Sequence, residues 1–168
     1  MIGFQGSFFA TTQNTVALFE PNLDGLTEDW WSNLSDGVRH PLEVIEGEMF
    51  IGNGNLVEYW DGSASGTAFT LPTDQDVTTL RRHPDGKTLL AFTGDSTNFS
   101  HTKPSRGKVY YCDPVLRDWT REVVIDAQVE GSINVGGTII VTWGKNIGYF
   151  DGNGLVWLKD QEVSHSRS

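Results

Sequence analysis

The chain has 168 residues, 38% of them hydrophobic, with six Trp, nine Phe and 19 Gly; that is enough for one domain or one repeat array and too apolar for wholesale disorder. No stretch approaches the ~20 apolar residues of a membrane-spanning helix, so no membrane insertion is expected. The net charge of −10 argues against specific nucleic-acid binding, because grip on a phosphate backbone needs a surplus of Lys and Arg.

The charge is split along the chain. Residues 1–80 hold twelve acids against Arg39 alone, whereas residues 81–168 hold ten acids and eleven bases. Such asymmetry suits either a solvated acidic face or head-to-tail contacts between subunits. The opening MIGFQGSFFATT has neither the basic start nor the sustained apolar core of a signal peptide.

Taken in chain order, four segments share one cadence of strand, aromatic pair and acid: NTVALFEP (14–21), NLVEYWDG (55–62), KVYYCDP (108–114) and NIGYFDG (146–152). Aligned on Glu20, Asp61, Asp113 and Asp151, the preceding residues are Phe19, Trp60, Cys112 and Phe150, and before those stand Leu18, Tyr59, Tyr111 and Tyr149. A second apolar strand precedes each: Phe9, Phe50 and Ile140 lie eleven residues before their acids. Leu90 lies 23 before Asp113 because the polar, turn-rich stretch GDSTNFSHTKPSRG has been inserted. A third strand follows each acid and carries Trp30 and Trp31, Phe69, Trp119 or Trp157. A weaker strand precedes the later copies, in PLEVIEG, VTTLRRHPDG and GSINVGG.

Four short strands recurring at ~40 residues, with Asn-Gly and Asp-Gly corners, predict an all-β, propeller-like array of about four blades of antiparallel strands. The blades are expected at 6–35, 40–72, 77–125 and 130–160, as a single domain with a loop insertion at 94–107. By this spacing the first copy lacks an inner strand, so one blade is expected to be incomplete. An open sheet edge of that kind is ordinarily covered by the chain's own terminus or by a partner.

The third copy, HPDGKTLLAFTGD…GKVYYCD, resembles the TolB-type propeller repeat over residues 77–125, with His83 where that repeat has Ser. The resemblance implies a propeller used as a binding platform.

No catalytic or metal site is expected, and no cofactor. His40, His83, His101 and His165 pair at no metal-ligand spacing, and nucleotide-loop and nucleophile-elbow motifs are missing. Cys112 is the one cysteine and reads as a small core filler. The aligned acids read as turn residues whose carboxylates bond nearby backbone amides. Binding residues are expected on the inserted rim loop, at Phe99, His101, Lys103 and Arg106, and at Trp31, since long loops on rigid scaffolds carry recognition.

The expected function is a non-enzymatic structural or protein-interaction module, with protein partners or self-assembly. The Tyr/Trp-Asp-Gly cadence loosely resembles propeller domains of bacteriophage tail, nozzle and adaptor proteins; that resemblance implies a virion component, and otherwise a soluble protein. Two alternatives stand beside it. One is a carbohydrate- or receptor-binding propeller that stacks sugars on Trp31 and Phe99. The other is a propeller glycoside hydrolase, whose acids would converge on a central mouth.

Overall fold

Alternating apolar residues bounded by Gly- and Asp-containing corners leave the backbone one economical solution, the antiparallel hairpin. The computed structural model describes residues 1–12, 15–20, 26–32, 34–35, 38–96 and 106–158, and among them every regular element is a strand. Among the described residues no helix is long and apolar enough to cross a membrane.

The first sheet is β1 (Ile2–Phe4), β2 (Ser7–Thr11), β3 (Thr15–Phe19) and β4 (Leu26–Ser32). The second is β5 (Leu42–Ile45), β6 (Glu48–Asn53), β7 (Leu56–Trp60) and β8 (Ser65–Thr70). The third comprises β9 (Gln75–Arg82), β10 (Leu89–Asp95), β11 (Gly107–Asp113) and β12 (Asp118–Ile125). The fourth comprises β13 (Gly131–Val135), β14 (Thr138–Trp143), β15 (Asn146–Phe150) and β16 (Leu155–Trp157). Each is a four-stranded meander in sequence order. The sheets stand side by side as the blades of a β-propeller, with β1 beside β5, β5 beside β9 and β9 beside β13 as inner strands.

The repeat is exact at the level of strand register. Phe9 lies opposite Leu18, Phe50 opposite Tyr59, Leu90 opposite Tyr111 and Ile140 opposite Tyr149. The insertion leaves this pairing untouched because it enters at the far end of the β10–β11 hairpin, between Asp95 and Gly107.

One expectation is corrected. The first blade is not short of an inner strand: β1 pairs with β2 through Ile2–Phe9, Gly3–Phe8 and Phe4–Ser7, so all four sheets have four strands. The signal lay in the turn. Gln5 and Gly6 both have positive φ (48° and 81°), as do Glu46 and Gly47 (48° and 84°) at the corresponding corner of the second blade. Positive φ at both central residues is the hairpin turn that matches strand twist. Gly6 stands three residues before Phe9, as Gly47 stands before Phe50 and Gly137 before Ile140. The aromatic residues of the outer strands are less regular than the inner pattern. Register shifts lie between Val16 and Leu18, Val57 and Glu58, and Tyr111 and Cys112, so Phe69, Trp119 and Trp157 fall on different rungs.

Three apolar cores weld the blades. Phe4, Phe9, Val16, Met49 and Ile51 fill the first junction. Phe50, Val57, Phe69, Leu80, Leu89 and Tyr110 fill the second. Leu90, Phe92, Val109, Ile139, Val141 and Phe150 fill the third. Among the described residues no such core joins the fourth blade to the first.

Candidate functional site

Three of the four aligned acids behave as turn residues. The Asp61 carboxylate accepts from the N–H groups of Ser63 (2.8 Å) and Ala64 (2.7 Å). That of Asp113 accepts from Val115 and Leu116 (2.9 and 3.1 Å), and that of Asp151 from Asn153 and Gly154 (both 2.8 Å). These backbone donors hold the Asp61 and Asp151 carboxyls below the usual carboxylate range. Glu20 borders residues 21–25, which lie outside the described residues.

Around the axis, inner-strand side chains reach from the second blade to the third and from the third to the fourth. Glu43 on β5 accepts from the Arg81 guanidinium (3.2 Å) and the Arg82 N–H (2.9 Å) of β9, and its other oxygen takes the Val44 N–H (2.9 Å). Arg81 in turn donates to the Ser132 carbonyl (2.6 Å) and hydroxyl (3.2 Å) on β13. Nearby, Arg39 donates to the Glu130 carbonyl at 2.7 Å. Arg39, Arg81, Glu130 and Ser132 border an open cavity of about 530 Å³ that also takes in Thr11 and Thr12 of the first blade. The Glu43 carboxylate is buried and supplied with donors on both oxygens, so its visible work is to tie inner strands together. No group of three or more His, Cys, Asp or Glu among the described residues could hold a metal ion.

The Cys112 thiol is fully buried, and burial pushes its pKa up to about 12; it stays neutral and packs as an apolar group. Of the expected binding residues, Phe99, His101 and Lys103 lie outside the described residues, and Arg106 is exposed where the chain re-enters β11. Trp31 is half-buried, 5.7 Å from the Trp30 ring, with its indole hydrogen-bonded to Glu58. Burial raises the Glu58 carboxyl, against hydrogen bonds from Asn53 and Trp31 and the nearby His40.

The most informative surface was not expected as a site at all. Each blade has a front face, turned to the following blade, and a back face, turned to the preceding one. On the front face the repeat places one residue per strand in a row: Ile2–Phe9–Leu18–Thr27, Glu43–Phe50–Tyr59–Gly66, Arg81–Leu90–Tyr111–Arg121 and Ile133–Ile140–Tyr149–Val156. Phe9, Phe50 and Leu90 are at most 1% exposed under the next blade, whereas Ile140 is only partly covered and Ile133 and Val135 beside it are each 56% exposed.

The back faces mirror this. Met49, Leu89 and Ile139 are at most 3% exposed, but Phe8, at the same repeat position, is 50% exposed, and Leu26 near it 49%. Among the described residues two apolar blade faces are thus left largely uncovered, a front face on the fourth blade and a back face on the first. Apolar patches of this kind on a folded protein mark contact surfaces.

Strand order and inter-blade packing together define a β-propeller. No protein-family model matches the chain, and no curated protein does either. Among solved structures it is similar to a propeller chain in the crystal structure of the mitotic checkpoint complex, with a TM-score of 0.54 and 13% identity. The match covers 73% of this chain and 37% of that one, so the present chain spans well under half the length of its neighbour. At that identity the likeness is one of fold.

Proposed function

We propose that the chain is a non-enzymatic interaction module that works within a larger protein assembly, with its first- and fourth-blade faces as the contact surfaces. The observation that carries this reading is the exposure of Phe8, whose counterparts Met49, Leu89 and Ile139 are buried, together with that of Ile133 and Val135, whose second-blade counterparts Glu43 and Ile45 are buried. Burying such residues is worth ~1.5–3 kcal/mol each, which a partner gains by covering them. The particular assembly we favour is a virion, with the module in its tail, nozzle or adaptor. Support comes from the Tyr/Trp-Asp-Gly cadence and from the net charge of −10, which disfavours retention of passing DNA by the protein as a whole.

Thiol labelling tests the contact surfaces. Cysteines placed singly at Ile133 and Phe8 react with a maleimide in dilute protein as fast as an exposed thiol, while buried Cys112 does not react. Protection of both new cysteines in the isolated chain would mean the two faces cover each other, and the reading fails.

A further inference from the structure

We infer that the partner of each terminal face is a second copy of this chain: the front face of the fourth blade docks on the back face of the first blade of another copy, and two copies close an eight-bladed ring. This inference rests on the interaction reading above and names its partner. Every junction inside the chain has one grammar, a front row packed on the next blade's back face, as in Phe9 and Met49 across the first junction. Whatever covers Ile133 and Ile140 must therefore offer a bulky apolar residue at the rung of Met49, Leu89 and Ile139. The chain carries one such back face uncovered, with Phe8 paired to Phe19 and Phe19 to Leu26.

Charge selects the same orientation. Two first blades placed together would join halves that each hold twelve acids and one base, whereas the fourth blade belongs to a half with ten acids and eleven bases. Unlike ends therefore meet with less repulsion than like acidic ends. A contact between two different faces gives a ring if the rotation closes and a filament if it does not. Two four-bladed chains make eight blades, within the known range of propellers.

The inner-strand ties point to the same need. Glu43 reaches the third blade and Arg81 the fourth, but Ile133, on the equivalent rung, is left 56% exposed. An apolar residue at the last rung requires an apolar receiver.

Light scattering on the purified chain, Ile133→Asp, Phe8→Asp and an equimolar mixture of the two variants decides the matter. The wild type is expected to reach a plateau at twice 18.6 kDa at high concentration and to fall toward 18.6 kDa in the dilute range where the thiols label, and each variant stays at the single-chain mass throughout. The mixture returns to the double mass, because one wild-type front face and one wild-type back face remain to pair; this recovery also shows that both variants fold. A wild-type mass that stays at 18.6 kDa or climbs without a plateau overturns the two-copy ring. So does a double mass that survives either variant, or a mixture that stays monomeric. A monomer whose cysteine at position 133 reacts freely removes only the second copy. A monomer that protects the cysteines at both 133 and 8 removes the interaction reading as well.

Discussion

The junction between the second and third blades and the seam between the fourth and first are built from the same repeat positions, yet they differ in every measure of burial. At the first, Phe50 and Leu89 are fully buried, the Phe50 and Phe69 rings lie 5.9 Å apart, and Tyr110 packs edge-on against Trp119 at 5.2 Å. At the second, Ile140 is partly covered and Phe8 is half exposed. Apolarity at a repeat position is a property of the strand. Burial is a property of its neighbour. The contrast separates residues that hold this fold together from residues free to recruit something else.

Substitutions should reproduce that contrast, and the largest effect belongs inside. Phe50→Ala removes a fully buried ring from the second junction and is expected to cost about 3–5 kcal/mol in urea unfolding; a loss under about 1 kcal/mol would mean this junction is not the structural core.

Next comes the tie across the inner strands. Arg81→Met leaves the Glu43 carboxylate, only 10% exposed, with backbone donors but no cation, at an expected cost of about 2–3 kcal/mol. Adding Glu43→Gln to that variant should recover part of the loss in the same unfolding experiment, since the uncompensated charge is then gone.

A smaller effect is expected at the corner of the third blade. Burial alone would raise the Asp85 carboxyl, but the Thr88 hydroxyl, the Lys87 and Thr88 N–H groups and the His83 ring outweigh it and hold its pKa at about 2, from an ordinary 3.8. A pKa depressed in the folded state contributes stability that is fully present above the unfolded value and is lost as pH falls through the folded one. Asp85→Asn should therefore be less stable than wild type at neutral pH, by under about 1 kcal/mol given the exposure of the corner. The gap should close between pH 4 and pH 2. A gap unchanged across that window would remove the carboxylate as its source.

The smallest effect on stability is expected at the seam. In the dissociated chain, Ile133→Asp should shift unfolding by no more than about 0.5 kcal/mol, because its side chain is already mostly in water. A shift of the Phe50→Ala size would show that the isolated chain buries this face, and would erase the distinction between junction and seam.

Much of the fold was legible in the residues. The spacing of eleven from Phe9, Phe50 and Ile140 to their acids is a hairpin's arithmetic, and a hairpin's register follows from its turn and its alternation. Asp61, Asp113 and Asp151 were readable as turn caps for the same local reason. β1 was missed because three residues, Ile2–Phe4, carry too little periodicity, although Gly6 marked the turn. The rungs of the outer-strand aromatics were not legible, because bulges shift a rung without changing composition. Of the site, Trp31 was legible only as an aromatic; its bond to Glu58 joins residues far apart in sequence.

By itself, then, the sequence determined what is local: strands, turns, register and the apolar rows on both faces of each blade. Those features arise from side-chain alternation and turn geometry within about forty residues. Only the tertiary structure decided which rows are covered. Phe9, Phe50, Leu90 and Ile140 read alike in one dimension. They differ because, among the described residues, a following blade excludes water from the first three and none covers the fourth.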